Sequence, residues 1–217
     1  MANFRGDIGF SELMRPKAER IYQRVFPGCK VENLRPDGDK DVHELDQYFG
    51  IDTQIILPSG GTLTVQEKYR RNEFLHTKKW RVDPSVPDFA QEYLNACGTE
   101  HERHGEWFHL SADLYFYGWA SANMMGFEKW AILNVLKYKL LVESMGGLDS
   151  IGMYKRNRKH GAASFYAIPI TTLKPAFMCT GSDINEIKVW RTDDTGQVVF
   201  NNHTKDTGVP MFTNLEI

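Results

Sequence analysis

Residues 51–69 constrain the fold most tightly. Two runs that mix apolar and polar residues, Ile51 to Leu57 and Thr62 to Tyr69, flank the turn-forming stretch Pro58-Ser59-Gly60-Gly61. A period of two separated by Pro and Gly predicts an antiparallel β-hairpin. Side chains alternate faces along a strand. Leu63 and Val65 therefore share one face with Ile55 and Leu57, and Thr62, Thr64, Gln66 and Lys68 share the other. Directly opposed residues point to the same side, so register decides what meets what. A register that opposes Asp52 to Gln66 groups the aliphatic residues and groups the polar ones. Opposing Asp52 to Glu67 would mix them. The hairpin is thus expected to gather Asp52, Gln66 and Lys68 on one polar face, with cross-strand neighbours about 5 Å apart.

The rest of the chain supplies a frame for that hairpin. Ala18, Ile21, Tyr22 and Val25 recur at helical spacing, which predicts a first helix from about Ser11 or Pro16 to Val25, stopped by Pro27-Gly28. Lys30 to Leu34 reads as a short strand, Pro84 to Ala96 as a helix, and Glu106 to Tyr117 as one or two aromatic strands. Trp130 to Val135 fits strand or helix, and Tyr138 to Met145 fits helix. Ala162 to Ile170 reads as a strand entering a short helix at Thr171 to Leu173. Ile187 to Arg191 and Gln197 to Phe200 form a hairpin around Asp194-Thr195-Gly196. Helix first, then hairpins and mixed elements, predicts an α/β fold in a single domain spanning residues 1–217, a mixed central sheet flanked by helices. Apolar residues make up 41% of the 217, enough for a substantial core.

A carboxylate, an amide oxygen and an ammonium on one face suit phosphodiester hydrolysis. Asp52 and Gln66 offer hard oxygen ligands for Mg²⁺, and Mn²⁺ would substitute. Lys68 can orient a water or offset charge on the reacting phosphate. An ordinary solvated hairpin carries the same alternation, so spacing alone leaves both readings open.

Gly50-Ile51-Asp52 followed by Val65-Gln66-Glu67-Lys68 resembles the GID…VQxK pattern of Mrr-type restriction endonuclease domains, a branch of the PD-(D/E)XK nuclease superfamily. In that branch Gln replaces the second acid. The resemblance covers the stretch from the first helix to about Arg71. It implies a restriction-endonuclease-like fold and Mg²⁺-dependent endonuclease activity on DNA. It also implies Asp52 as central metal ligand, Gln66 as second ligand, the Glu67 carbonyl as third and Lys68 as catalytic lysine. The family often adds an acid from the first helix, here Glu19, with Glu12 as the alternative. The acid that commonly lies two or four residues before the Asp is missing, since the nearest are Asp46 and Glu44. A catalytically inactive nucleic-acid-binding module on the same fold is the alternative function.

Charge supports a nucleic-acid partner locally, not globally. The formal net charge is −2. Residues 66–81 nevertheless carry Lys68, Arg70, Arg71, Lys78, Lys79 and Arg81 against Glu67 and Glu73, and residues 154–160 carry Lys155, Arg156, Arg158 and Lys159 with no acid. Arg70, Arg71, Lys155, Arg156, Arg158 and Lys159 are the candidate phosphate contacts. Solvated loops would have the same composition.

Other signals weigh less. Cys97, His101 and His104 lie close in sequence, but a structural zinc site needs four ligands and the second pair is missing. Tyr115 to Trp119 reads as a packed strand more than as a recognition surface. No GxxxxGK[ST] loop and no GxSxG setting occurs, which gives no support to a translocase or a serine hydrolase. The three cysteines are scattered, with no CxxC, as expected in a reducing compartment. No apolar leader or span of roughly 20 residues is visible, so the expectation is a cytoplasmic protein without a membrane partner. The sequence leaves a homodimer open.

Overall fold

A computed structural model describes residues 4–34, 49–79, 81–157, 162–192 and 198–203. The elements run α1 (Phe4–Val25), β1 (Lys30–Asn33), β2 (Thr53–Ile56), β3 (Thr62–Arg70), α2 (Asn72–His76), β4 (Asp88–Asn95), β5 (Arg103–His104), α3 (Glu106–His109), β6 (Leu114–Ala120), β7 (Phe127–Asn134), α4 (Val135–Ser144), α5 (Leu148–Ile151), β8 (Met153–Arg156), β9 (Ser164–Pro169), a 3₁₀ helix (Ile170–Ala176), β10 (Phe177–Gly181), β11 (Ile187–Thr192) and β12 (Val198–His203). The class is mixed α/β, as the order of sequence patterns predicts.

Two sheets form. One has eight strands in the order β1-β2-β3-β6-β7-β10-β11-β12, and the other has four in the order β5-β4-β9-β8. The first three strands pair antiparallel, whereas β6 runs parallel to β3, with Gln66 opposite Tyr115 and Lys68 opposite Tyr117. A parallel neighbour needs a crossover. Here the crossover carries α2, β4, β5 and α3, and β4 becomes an inner strand of the second sheet. Asp113 fixes the entry of β6. Its carboxylate accepts from both the Thr64 amide and hydroxyl at 2.8 Å, and its own amide donates to the Thr64 hydroxyl at 3.0 Å.

The large sheet is covered on both faces. On one face α1 packs Met14, Ala18, Ile21, Tyr22 and Val25 onto Ile55, Leu63, Val65, Phe116 and Trp130. On the other, Tyr115, Tyr117 and Trp119 meet Phe89, Tyr138, Tyr166 and Ile168 from the second sheet and α4. Every residue of β6 is buried, so Tyr115 to Trp119 is core.

Three sequence expectations change. Segment 84–96 is not a helix, because Asp88–Asn95 pairs with both β5 and β9. Its Phe89, Tyr93 and Leu94 mimic a helical stripe, but the bonds that form are to strands distant in sequence. Residues 106–109 form a helical turn before the strand rather than part of it. Helix α1 begins at Phe4 and runs through Pro16, which removes one amide donor from its interior. The Lys17 ammonium donates to the Leu13 carbonyl beside that defect. The closing hairpin forms as β11 and β12, and its expected turn at Asp194 to Gly196 lies outside the described residues.

Candidate metal-dependent site at the end of the first hairpin

The hairpin register follows the alternation. Thr53 opposes Val65 and Ile55 opposes Leu63, and the pairing ends there, one residue short of the expected Asp52–Gln66 pair. The Asp52 amide donates to the Val65 carbonyl at 2.9 Å, and the Asp52 carbonyl accepts from the Leu34 amide at 3.0 Å. Asp52 is thus held by backbone on both sides just before β2 begins. Only 2% of it is exposed, and only 6% of Gln66. At Asp52 and Gln66 the hairpin is therefore not a solvated face, whereas Thr62 is exposed and Gln54 and Thr64 are half-buried.

The side chains divide differently from the single polar face expected. Gln66 and Lys68 point toward the second sheet, while Glu67 points toward α1. Asp52 turns its carboxylate onto the strand edge, where it accepts from the Glu67 amide at 2.7 Å. In a strand, the amide and carbonyl of one residue project to the same side. The Glu67 carbonyl therefore lies on the edge that Asp52 caps, past the first residue of β2.

On the α1 side Glu67 is a buried carboxylate. Tyr22 donates to it at 2.8 Å and Tyr69 at 2.5 Å, and the Arg15 guanidinium stands 3.8 Å away. Burial raises the Glu67 carboxyl above its ordinary value, against the two phenols and Arg15, which favour the charged form. Burial first and the Glu67 charge second push the Tyr22 and Tyr69 phenols well above theirs. Asp52 adds to both, which puts its carboxylate within electrostatic reach of the pair. Glu19 follows Arg15 by one helical turn and precedes Tyr22 by another, so it lies on the helix stripe that faces Glu67. It is half-buried, whereas Glu12 is exposed.

On the opposite side Lys68 is clamped. Its ammonium donates to the Glu106 carboxylate at 2.8 Å, with the two side chains 20% and 13% exposed. Burial opposes the charge on Lys68, but Glu106 and then Glu92 outweigh it, and the ammonium is held above its ordinary value. Gln91, fully buried, donates to Glu106 at 3.4 Å and accepts from the Tyr138 hydroxyl at 3.2 Å. Sequence reading missed Glu106, Glu92 and Gln91. A lysine on a covered strand face does call for a carboxylate. Nothing in the sequence, however, selects Glu106 from the segment that otherwise suggests zinc.

Gln66 supplies the test of whether a metal fits. Its Oε1 is buried with no hydrogen-bond partner among the described residues. Such an orphaned acceptor costs about 1–3 kcal/mol unless something meets it. Gly50 keeps the space in front of it. That residue has φ +57°, and a Cβ there would stand 3.1 Å from Gln66 Oε1. Asp52, Gln66 Oε1 and the Glu67 carbonyl are all hard oxygen donors, which suits Mg²⁺ or Mn²⁺. Among the described residues no three His, Cys, Asp or Glu side chains converge as a metal site. Cys97 is buried near the Tyr154 hydroxyl at 3.7 Å, and His101 is exposed.

The basic residues are partly engaged. Arg70 and Arg71 leave β3 with guanidinium carbons 4.1 Å from the Phe74 ring centroid and 4.5 Å from that of Phe10. Lys155 pairs with Asp88 at 3.4 Å, and Arg156 donates to the Cys97 carbonyl. Arg158 and Lys159 lie outside the described residues, as do Asp46 and Glu44. No described helix is long and apolar enough to cross a membrane. Comparison with protein-family models, with curated proteins and with solved structures returned no match.

Proposed function

We propose that the chain is a Mg²⁺-dependent endonuclease that hydrolyses DNA phosphodiester bonds at the end of the β2–β3 hairpin. The observation that carries this reading is the buried Gln66 Oε1, without a partner among the described residues, next along β3 to the Glu67 amide that holds the Asp52 carboxylate. The resemblance of GID…VQxK to Mrr-type domains supports it, as does the mixed α/β fold. Asp52, Gln66 Oε1 and the Glu67 carbonyl are the residues that would hold the ion. The ion, when bound, supplies a Lewis acid and an activated water. Lys68 adds a fixed positive charge toward the phosphate, and Glu106 sets where that charge stands. Arg70 and Arg71, next along β3, would follow the nucleic-acid backbone, and Glu19 would be the acid that α1 contributes.

The test is nicking of supercoiled plasmid by the full chain with Mg²⁺, Mn²⁺ or EDTA. Asp52→Asn and the paired change Lys68→Ala with Glu106→Gln should each abolish cleavage while thermal melting stays cooperative. The paired change removes both charges and so avoids stranding Glu106. DNA binding without cleavage by the parent under all three conditions would favour the inactive-module reading. Full activity in Asp52→Asn would remove the site from the mechanism.

A further inference from the structure

Helix α3 carries residues in two directions. Glu106 holds Lys68, and the next two side chains, Trp107 and Phe108, line a cavity of about 510 Å³ against Tyr93, Tyr166 and the α4–α5 connection. That volume lies within the range of small-molecule sites. The floor, Val142, Leu148 and Tyr166, is buried, and the Phe108 ring at the mouth is 41% exposed. The rings are fixed. Tyr93 lies 5.0 Å from Phe108 and 5.2 Å from Tyr166, and Trp107 packs edge-on to Tyr138 at 5.5 Å. Three polar groups complete the lining: Lys139, Glu143 and Asp149.

We infer that this cavity receives one unstacked base of the nucleic acid, an inference that rests on the nuclease reading of the neighbouring site. Aromatic walls offer stacking faces to any base. Asp149 already accepts from the Tyr166 hydroxyl at 2.6 Å, so Glu143 is the rim carboxylate that would accept from an exocyclic amino group, as Asp and Glu do for cytosine N4. Those same carboxylates disfavour a phosphate. Lys139 already stands over the Trp107 ring at 5.9 Å, so the ring face a cationic ligand would take is occupied. Glu106, which holds Lys68, is followed directly by Trp107 and Phe108, so one helical turn carries a wall of both sites. Extruding a base costs a few kcal/mol in a duplex and least where the base is mismatched or single-stranded. The cavity thus predicts a preference for unpaired or distorted DNA.

The test pairs a residue change with a base change. Affinity of the full chain for a single-stranded oligonucleotide, and for the same strand carrying one abasic nucleotide, is measured against salt concentration for the parent, Phe108→Ala and Trp107→Phe. Phe108 is at the surface, so its removal leaves the core in place, and Trp107→Phe keeps a stacking ring. Base–aromatic stacking predicts about a 5- to 150-fold loss in Phe108→Ala. The salt slope should be unchanged, because slope counts phosphate contacts. Trp107→Phe, which keeps a ring in the same wall, should lose less than Phe108→Ala. The abasic strand should cost the parent a similar factor at one position and cost Phe108→Ala little. Parent-like binding by Phe108→Ala, or a loss that arises through the slope, overturns the inference. A parent that cleaves plasmid while Phe108→Ala binds normally refutes the cavity alone. A parent that shows the base-dependent loss without cleaving refutes the nuclease reading alone.

Discussion

Breaking the Lys68–Glu106 pair should cost more than losing a surface ion pair. The two groups meet at 2.8 Å with 20% and 13% of their side chains exposed. Exposed pairs are typically worth under about 1 kcal/mol. Removing one partner of a buried pair costs about 3–5 kcal/mol, mostly because the other charge is left unpaired. The residual exposure and the second carboxylate at Glu92 place this site at or below the lower end, so Glu106→Gln should destabilise by about 2–3 kcal/mol. Replacing both partners should be far milder, since well-packed neutral side chains often substitute for buried pairs at little net cost. Lys68→Met combined with Glu106→Gln should therefore recover most of the loss. Urea unfolding of the four proteins gives the coupling energy directly. A coupling below about 0.5 kcal/mol would show that the pair is solvated and that Glu106 does not fix Lys68. Clamping by Glu106 would then drop out of the proposed mechanism.

Other perturbations separate the two sides of the hairpin. Tyr22→Phe removes a 2.8 Å bond to the buried Glu67 carboxylate and should cost about 1.5–3 kcal/mol in urea unfolding, with little effect if Tyr69 alone satisfies it. Gly50→Ala forces a non-glycine residue to φ +57° and crowds Gln66 Oε1, so it should cost about 1–2 kcal/mol and weaken Mg²⁺ binding; unchanged ion affinity would place Gln66 outside the site. Glu128 has opposing influences: slight burial raises its pKa, but the bonds from His76 and Asn72 dominate and hold it below the ordinary 4.5. Its contribution is therefore present above that value and is lost as pH falls through the lowered one. Melting curves of Glu128→Gln and the parent should converge as the pH is taken down into acid; a gap that stays constant throughout the acid range contradicts the assignment.

The hairpin was legible because its information is local. Alternation and a four-residue turn set the register of the hairpin from Thr53 against Val65 to Ile56 against Thr62, and the strands pair in that register, while the expected Asp52–Gln66 pair does not form. Burial of the polar face was not legible, because it depends on α3 and β4, which return from far along the chain. Segment 84–96 misleads for the same reason. Phe89 and Tyr93 have helical spacing, yet Asp88–Asn95 finds its bonds in β9, with every partner at least 70 residues later. Period alone cannot separate the two when the partner strand is remote. The division of Gln66 and Glu67 onto opposite faces follows from alternation and was readable. The turn of Asp52 onto the Glu67 amide was not, because Asp52 precedes β2 and escapes its alternation.

Calorimetric titration of the full chain with Mn²⁺, beside Asp52→Asn, tests the central claim most directly, because it reads the ion without relying on a substrate. The account predicts one divalent ion per chain in the parent and loss of that binding in Asp52→Asn, with melting still cooperative. Equal Mn²⁺ affinity in both proteins, or none in the parent, would contradict it.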